Sequence, residues 1–471
     1  MHDLPQEAWR NRRDLQDRLC DLIASFGYSH LETPILEPTD LFLRKSGGAL
    51  ASRIYSFTDP GSNLVSLRPE FTSSIMRHYL EHVEETFLPA RWQYAGPVFR
   101  YDVSHPESRG QFTQIGAELL GSSSILADAE VLGLATQVLS ALELPGEVDE
   151  WRLELADLDV LNSVLDAVGV SERTRTFIID SVPKLKLGRQ VIPQVMEEAD
   201  RLRLTGQNAQ EDHLVEAVQG LDDGQARVVL RGLLKWSAAD QLGQRTADEV
   251  VERLLRKLRG SDDSKTLKRG LELACDLAVV RGDPETALSK VGVVVRVAGA
   301  ESGAFQRLSQ LMNLVLSDSA IGGHLDLDFG LVRGMAYYNG IVFEVNHPRW
   351  PESLGGGGRY DGLARALGAR DTVPALGFAY NLEALLAISS ATSKGGFTGS
   401  TKETALVVTD SPKAIRDALL ATQEMRQQGI SAELDVDDLD LDRALAYASQ
   451  KGINKVVQLG SDGQRKVHII E

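Results

Sequence analysis

Cysteine is nearly absent: Cys20 and Cys275 are the only two in 471 residues. That excludes a disulfide framework and a cysteine zinc site, and it fits a reducing cytosol. No apolar run approaches the roughly 20 residues a membrane-spanning helix needs. The N-terminal stretch MHDLPQEAWRNRRDLQDRLC is polar and helix-like, without a signal-peptide pattern. A cytoplasmic protein with no membrane contact is expected. Clustered Lys/Arg runs are missing too, and 50 basic residues face 67 acidic ones for a net charge of −17. Phosphate backbones are held largely through Lys and Arg, so RNA binding would need a local basic surface that the sequence does not display. No motif suggests a resident metal or cofactor, and neither is expected.

What is present is a soluble globular composition, 43% hydrophobic and 25% charged. The length is too great for one ordinary core, so two or three domains are expected. The most informative segment is Arg91 to Gly121, RWQYAGPVFRYDVSHPESRGQFTQIGAELLG. Its ends read as strands and its middle, Ser104 to Gly110, as a loop, which makes a long-looped antiparallel hairpin. Side chains two and four apart share a strand face, so Gln114 and Glu118 point the same way across Gly116. They form a notch with an amide at one end and a carboxylate at the other; Arg100 and Asp102 share a face of the incoming strand. Polar residues on a strand face otherwise simply meet water.

Upstream, Trp9 to Phe26 is helix-spaced and Tyr28 to Pro38 reads as a strand carrying a Pro, suited to an edge or an interface. A short hairpin (Ile54 to Phe57, Leu64 to Leu67) leads into LRPEFT and a helix from Ser73, with Glu70 and Thr72 at its start. Capping is the commoner use of such residues. Between about Leu155 and Ser319 apolar residues recur at i, i+3, i+4 and i+7, the mark of a helical insertion, with Val291 to Val295 as a candidate short strand. From His324 to Val345 two strand-like runs flank a turn bearing Arg333, Tyr337 and Tyr338, and pattern alone reads this as a hairpin with a surface Arg. Then come Gly355-Gly356-Gly357-Gly358-Arg359-Tyr360, a strand and helix from Pro374 to Leu386, and a Ser/Thr/Gly-rich linker. The final stretch alternates strand and helix as a small α/β unit.

Four of these segments together resemble the class II aminoacyl-tRNA synthetases, and in detail the histidyl-tRNA synthetase family. Gly96-Pro97-Val98-Phe99-Arg100 and Gln111 to Gly121 match its GPxFR and QFxQxGxExxG strands. LRPEFT matches LRPExT, Leu331 to Tyr338 matches LVRGLDYY, and Gly356 to Leu363 matches AGGRYDGL. The resemblance implies an α+β fold with a class II synthetase-like antiparallel sheet core at 1–155 and 323–390 and a helical insertion at 156–322. A linker at 391–402 and an anticodon-binding-like α/β domain at 403–471 follow. It also implies a dimer built on the Pro-containing strand.

The resemblance further implies a histidine site: Glu70 and Thr72 on the ammonium, Arg333 with Gln114 on the carboxylate, and Glu118, Tyr338 and Tyr360 on the imidazole. Nucleotide contacts are weakened by comparison. The motif 3 Arg is Ala384, the FRxE acid is the shorter Asp102, and the loop arginine falls on Ser108 with Arg109 one place on, while Arg100 survives. Activating an amino acid with ATP brings two anions together and needs preorganised cations; losing one donor typically costs about 2.7 to 4 kcal/mol. A kept amino-acid pocket beside a depleted nucleotide seat resembles the regulatory subunit of ATP phosphoribosyltransferase, in the first step of histidine biosynthesis. On that reading no residue is catalytic. The partners are histidine and a short-form catalytic subunit, the chain is a homodimer within a hetero-oligomer, and tRNA is not expected. The alternatives are a histidine-tRNA ligase with a degenerate ATP site, or a histidine- or tRNA-sensing module.

Overall fold

The computed structural model describes residues 3–44, 52–101, 110–142, 151–202, 204–205, 221, 223–236, 262–300, 303–317, 319–331, 338–389, 403–409, 411, 414–460 and 464–470. Its strands, in chain order, begin with β1 (Ser29–His30), β2 (Leu36–Pro38), β3 (Ser56–Thr58), β4 (Leu64–Leu67), β5 (Ala90–Phe99), β6 (Gln111–Leu120) and β7 (Arg152–Asp157). After a helical stretch come β8 (Arg281–Gly282), β9 (Leu325–Asp328), β10 (Ile341–His347), β11 (Trp350–Arg359) and β12 (Ala375–Asn381). The last are β13 (Thr404–Thr409), β14 (Ser431–Leu434), β15 (Lys455–Leu459) and β16 (Arg465–Ile469). The chain forms two compact units, one of Met1–Leu158, Gln306–Asp326 and Arg333–Glu471, the other of Asp159–Phe305 and Leu327–Val332.

The first unit is built on a sheet ordered β1-β5-β6-β12-β11-β10-β7. β5 and β6 are the expected antiparallel hairpin, in register from Ala90 opposite Leu120 to Phe99 opposite Gln111. From β6 through β12, β11 and β10 to β7 every neighbour is antiparallel, and only β1 joins parallel, along β5. This is the α+β, class II synthetase-like fold that the motifs led us to expect. One face of the sheet carries the helices Gln6–Ala24, Ile125–Ser140 and Leu382–Ile388: Thr113 of β6 meets Arg12 and Glu383, and the Tyr380 hydroxyl donates to Ala135 O at 2.9 Å. The other face is partly covered by the helix Thr72–Glu81, whose Ile75, Met76 and Tyr79 pack with Tyr94, Val98, Leu120 and Tyr360.

Two sequence expectations change here. The stretch Tyr28 to Pro38 is not one strand: β1 lies along β5, whereas β2 pairs with β4 in a separate small sheet ordered β2-β4-β3. Thr33 and Pro34 interrupt it, since the residue before a proline is restricted and the proline lacks a donor. Nor do the runs around Arg333 form a hairpin. β10 sits between β7 and β11, and β9 pairs with β8 at Leu327 and Asp328. Ile341, Val342, Phe343 and Val345 are all buried, and a strand buried on both faces belongs in the middle of a sheet.

The C-terminal unit of secondary structure is a sheet ordered β14-β13-β15-β16 with helices Ile415–Gln427 and Leu441–Lys451. Its crowded aspartates have local uses. Asp435 accepts the Asp437 and Leu439 amides, and Asp440 caps its helix by accepting from Arg443 N at 2.9 Å. This sheet is fastened to the core by Arg91, which is 2% exposed. Its guanidinium donates to Glu130 at 2.9 and 3.1 Å, to Glu433 at 3.2 Å and to Leu434 O at 2.7 Å. Tyr447 also donates to Glu433, and Ala432 N to Ser25 O.

The second unit is helical, with Glu172–Leu185, Ile192–Arg201, Asp223–Trp236, Ser264–Ala278 and Pro284–Ala298. Val291 to Val295 lies inside the last of these and is not a strand. Asp283 caps the helix, Pro284 opens it and Gly299 ends it at φ 70°, while Ala287, Val291 and Val295 bury one stripe. End signals and an i, i+4 apolar row outweigh the β-preference of the valines. The helices expected at Leu214 to Leu221 and Thr246 to Arg259 fall almost wholly outside the described residues. Among the described residues no helix is long and apolar enough to cross a membrane.

Candidate functional site

The sheet face opposite the helices Gln6–Ala24 and Ile125–Ser140 has a floor almost without side chains. Gly358 of β11, Gly377 of β12 and Glu118 of β6 stand in register across three strands, and beside that row lie Gly356, Ala379 and Gly116. A Cβ built on Gly377 would fall 1.6 Å from Glu118 Oε2. The Glu118 carboxylate therefore lies down on the backbone of β12, in space that only glycine leaves open.

Three hydroxyls converge on that carboxylate. Thr72 Oγ1 and Tyr94 Oη donate to Oε1 at 2.7 and 3.0 Å, and Tyr360 Oη donates to Oε2 at 2.5 Å. Glu118 is 1% exposed. Burial pushes its pKa up to about 7 against the lowering effect of the three hydroxyls, and the neighbouring Glu70 charge raises it further. The notch between Gln114 and Glu118 exists, but Tyr94 fills it: a Cβ on Gly116 would be 2.7 Å from Tyr94 Oη. Gln114 is buried, and its Oε1 has no partner among the described residues. An unpaired amide oxygen inside a pocket is costly unless a ligand donor meets it.

Glu70 caps the helix Thr72–Glu81, its two oxygens accepting from Ser73 N at 3.2 and 3.1 Å. Burial raises its pKa, while the Ser73 bonds and the Arg100 charge lower it. Arg100 donates from Nε to Pro69 O at 2.8 Å and lies over the Phe112 ring. The Tyr338 ring packs on Gly358, where a Cβ would come within 3.0 Å of it. Behind Tyr360, the Arg359 guanidinium is locked onto Asp128 at 2.6 and 3.0 Å and onto Ser122 O at 3.1 Å.

On the nucleotide side, Ala384 is 0% exposed, and its amide donates to the capping Asn381 side chain at 3.1 Å. The preceding Glu383 is turned to the far face of the sheet, where it accepts from Thr113 N and Oγ1 and pairs with Arg12 at 3.5 Å. Arg12, the cation paired with Glu383, therefore lies on the sheet face opposite Glu118. Arg333, Asp102 and Arg109 lie outside the described residues. Of the residues expected in the site, the structure brings Thr72 and Tyr360 onto Glu118; Tyr338 lies on Gly358 in the same glycine row, Gln114 shares the strand face of Glu118, and Glu70 stands at the start of the adjoining helix. Sequence reasoning passed over Tyr94, although drawing the hairpin in register puts it directly opposite Gly116.

Comparison with known families matches residues 1–282 and 221–385 to the histidyl-tRNA synthetase family. The histidine–tRNA ligase of Sulfolobus acidocaldarius is 28% identical over 462 residues, 98% of this chain and 90% of that protein. That of Thermococcus kodakarensis is 27% identical over 467 residues, 97% of this chain and 89% of its own length. Among solved structures, one described as an ATP phosphoribosyltransferase regulatory subunit/histidyl-tRNA synthetase from Bacillus halodurans C superposes with a TM-score of 0.56 at 20% identity, covering 98% of this chain and 97% of that one. The family match spans the core sheet, the helical unit and every pocket residue named above, and the chain belongs to the histidyl-tRNA synthetase family.

Proposed function

We propose that this chain is a non-catalytic regulatory subunit that binds histidine, activates a short-form ATP phosphoribosyltransferase and confers histidine feedback on the first step of histidine biosynthesis. The observation that carries the reading is an imbalance between two halves of one site. Three hydroxyls converge on the buried Glu118 carboxylate, while the position that would aim a cation at the nucleotide is the sealed Ala384. An ammonium and an imidazole suit the first half. At that position the anionic transition state of amino-acid activation has lost a donor. In this role the chain is a homodimer within a hetero-oligomer and handles no tRNA.

A second reading, a working histidine-tRNA ligase, is favoured by relatives of that activity matching 97–98% of the chain. Histidine-dependent ATP–pyrophosphate exchange decides between them. The regulatory reading expects no exchange above a no-histidine control, and co-purification with a short phosphoribosyltransferase chain whose activity rises on mixing. Clear exchange overturns it.

A further inference from the structure

Phe71 occupies the variable place in the LRPExT-like segment, and its ring is 1% exposed. It is held on both sides. The Arg68 guanidinium carbon lies 3.9 Å from its centroid on one side, and on the other the Tyr94 ring stacks at 4.3 Å and 11°. Gly96 makes the room, since a Cβ there would fall 2.7 Å from Arg68 Nη2 and 3.1 Å from Phe71 Cζ. Arg68 is fixed in turn, donating from Nε to Pro97 O at 2.9 Å and from Nη1 to Thr33 O at 2.6 Å. Burial lowers its pKa to about 10, and a desolvated guanidinium gains most from a π face.

The clamped Tyr94 reaches across Gly116 to Glu118. A carboxylate offers about four acceptor positions. Thr72 and Tyr94 take two on Oε1 and Tyr360 takes one on Oε2. We propose that Phe71 is a positioning residue for selectivity: by holding Tyr94 on Glu118 it leaves that carboxylate one acceptor position. That suits a ligand side chain offering a single N–H, as an imidazole does, over an ammonium that offers several. The inference deepens the histidine reading and rests on Glu118 as the side-chain acceptor.

The test uses full-length protein labelled with ¹³C at tyrosine Cζ, titrated without ligand. The Tyr94 signal is identified by its loss in Tyr94→Phe, and the Glu118 midpoint, which burial should place near 7, is followed on the Tyr360 signal. Phe71→Met keeps volume but removes the flat face, and Met76→Leu is a control in the same cluster. Phe71→Met should move the Tyr94 signal, and both it and Tyr94→Phe should raise the Glu118 midpoint by roughly half a unit to one unit, because a donor to the charged form is lost. Met76→Leu should leave it in place. In calorimetry with L-histidine and L-2,4-diaminobutyrate as probes, the preference for histidine should narrow roughly tenfold in both variants. An unmoved midpoint in Tyr94→Phe, or an unmoved Tyr94 signal in Phe71→Met, overturns the proposal. Should Phe71→Met not fold, Phe71→Leu, which also removes the flat face, takes its place with the same expected shifts. If wild type ignores histidine while the midpoints move as stated, the histidine reading fails and the clamp stands.

Discussion

At the scale of the residue, Glu118 concentrates the chemistry. Its ordinary carboxyl value near 4.5 is raised to about 7 by burial. Between those values the folded chain holds a proton that the unfolded chain has released, so stability falls as pH climbs from about 4.5 to about 7 and levels off above. Glu118→Gln removes that ionisation. The drop in unfolding free energy between pH 5 and pH 8, followed by urea denaturation, should shrink in the variant by at most about 3 kcal/mol, and histidine affinity should fall with it. A slope equal to that of wild type would place the titration elsewhere. Much of this pocket was legible in the sequence, because strand periodicity alone puts Gln114, Gly116 and Glu118 on one face. Tyr94 was not. It comes from the partner strand, and only the register, Tyr94 opposite Gly116, reveals that its hydroxyl reaches two positions along.

At the scale of the element, β11 and β12 are shaped by what they lack. A Cβ on Gly357 would sit 2.0 Å from Gly377 O, and one on Gly377 would sit 2.5 Å from Ala117 O as well as in the Glu118 carboxylate. Gly377→Ala should therefore abolish measurable histidine binding and cost about 1–3 kcal/mol of stability through overpacking, seen as a lower denaturation midpoint. Normal binding in a folded Gly377→Ala protein would contradict the flat placement of Glu118. The four-glycine run lies in the fold as a tight strand interior, in register with β12 from Gly355 to Gly358. Val291 to Val295 was misread because local β-preference said strand, while the Asp283 cap, about two helical turns before the valines, and the Gly299 stop, about one turn after them, said helix. The run after His324 failed as a hairpin because sequence shows which segments extend and not which neighbour each takes.

At the scale of the whole molecule, two surfaces matter. Ile35, Leu36, Phe57 and Leu64 are 44%, 45%, 47% and 57% exposed on and beside the small β2-β4-β3 sheet, a large apolar group for a monomer to leave in water. Ile35 and Leu36 lie in the segment whose motif implied a dimer, and Phe57 and Leu64 in the hairpin that follows it. Leu36→Asp should convert a dimer to a monomer in light scattering with little change in far-UV signal; a monomeric wild type would count against the interface. The other surface is internal and was invisible in sequence: Arg91 and Glu433 are 342 positions apart, and nothing local marks either as a partner. Arg91→Ala strands Glu130 and Glu433 in the interior, so it should cost about 3–5 kcal/mol, read from chemical unfolding.

That shared charge has a practical side. Because the strands and helices from Thr404 to Ile469 are held to the core by buried contacts, cutting the chain within 391–402 should not free them. A protease site placed there should yield two polypeptides that elute together from a sizing column until acid or denaturant parts them. The same pair, expressed from separate genes, should find each other and reconstitute the whole.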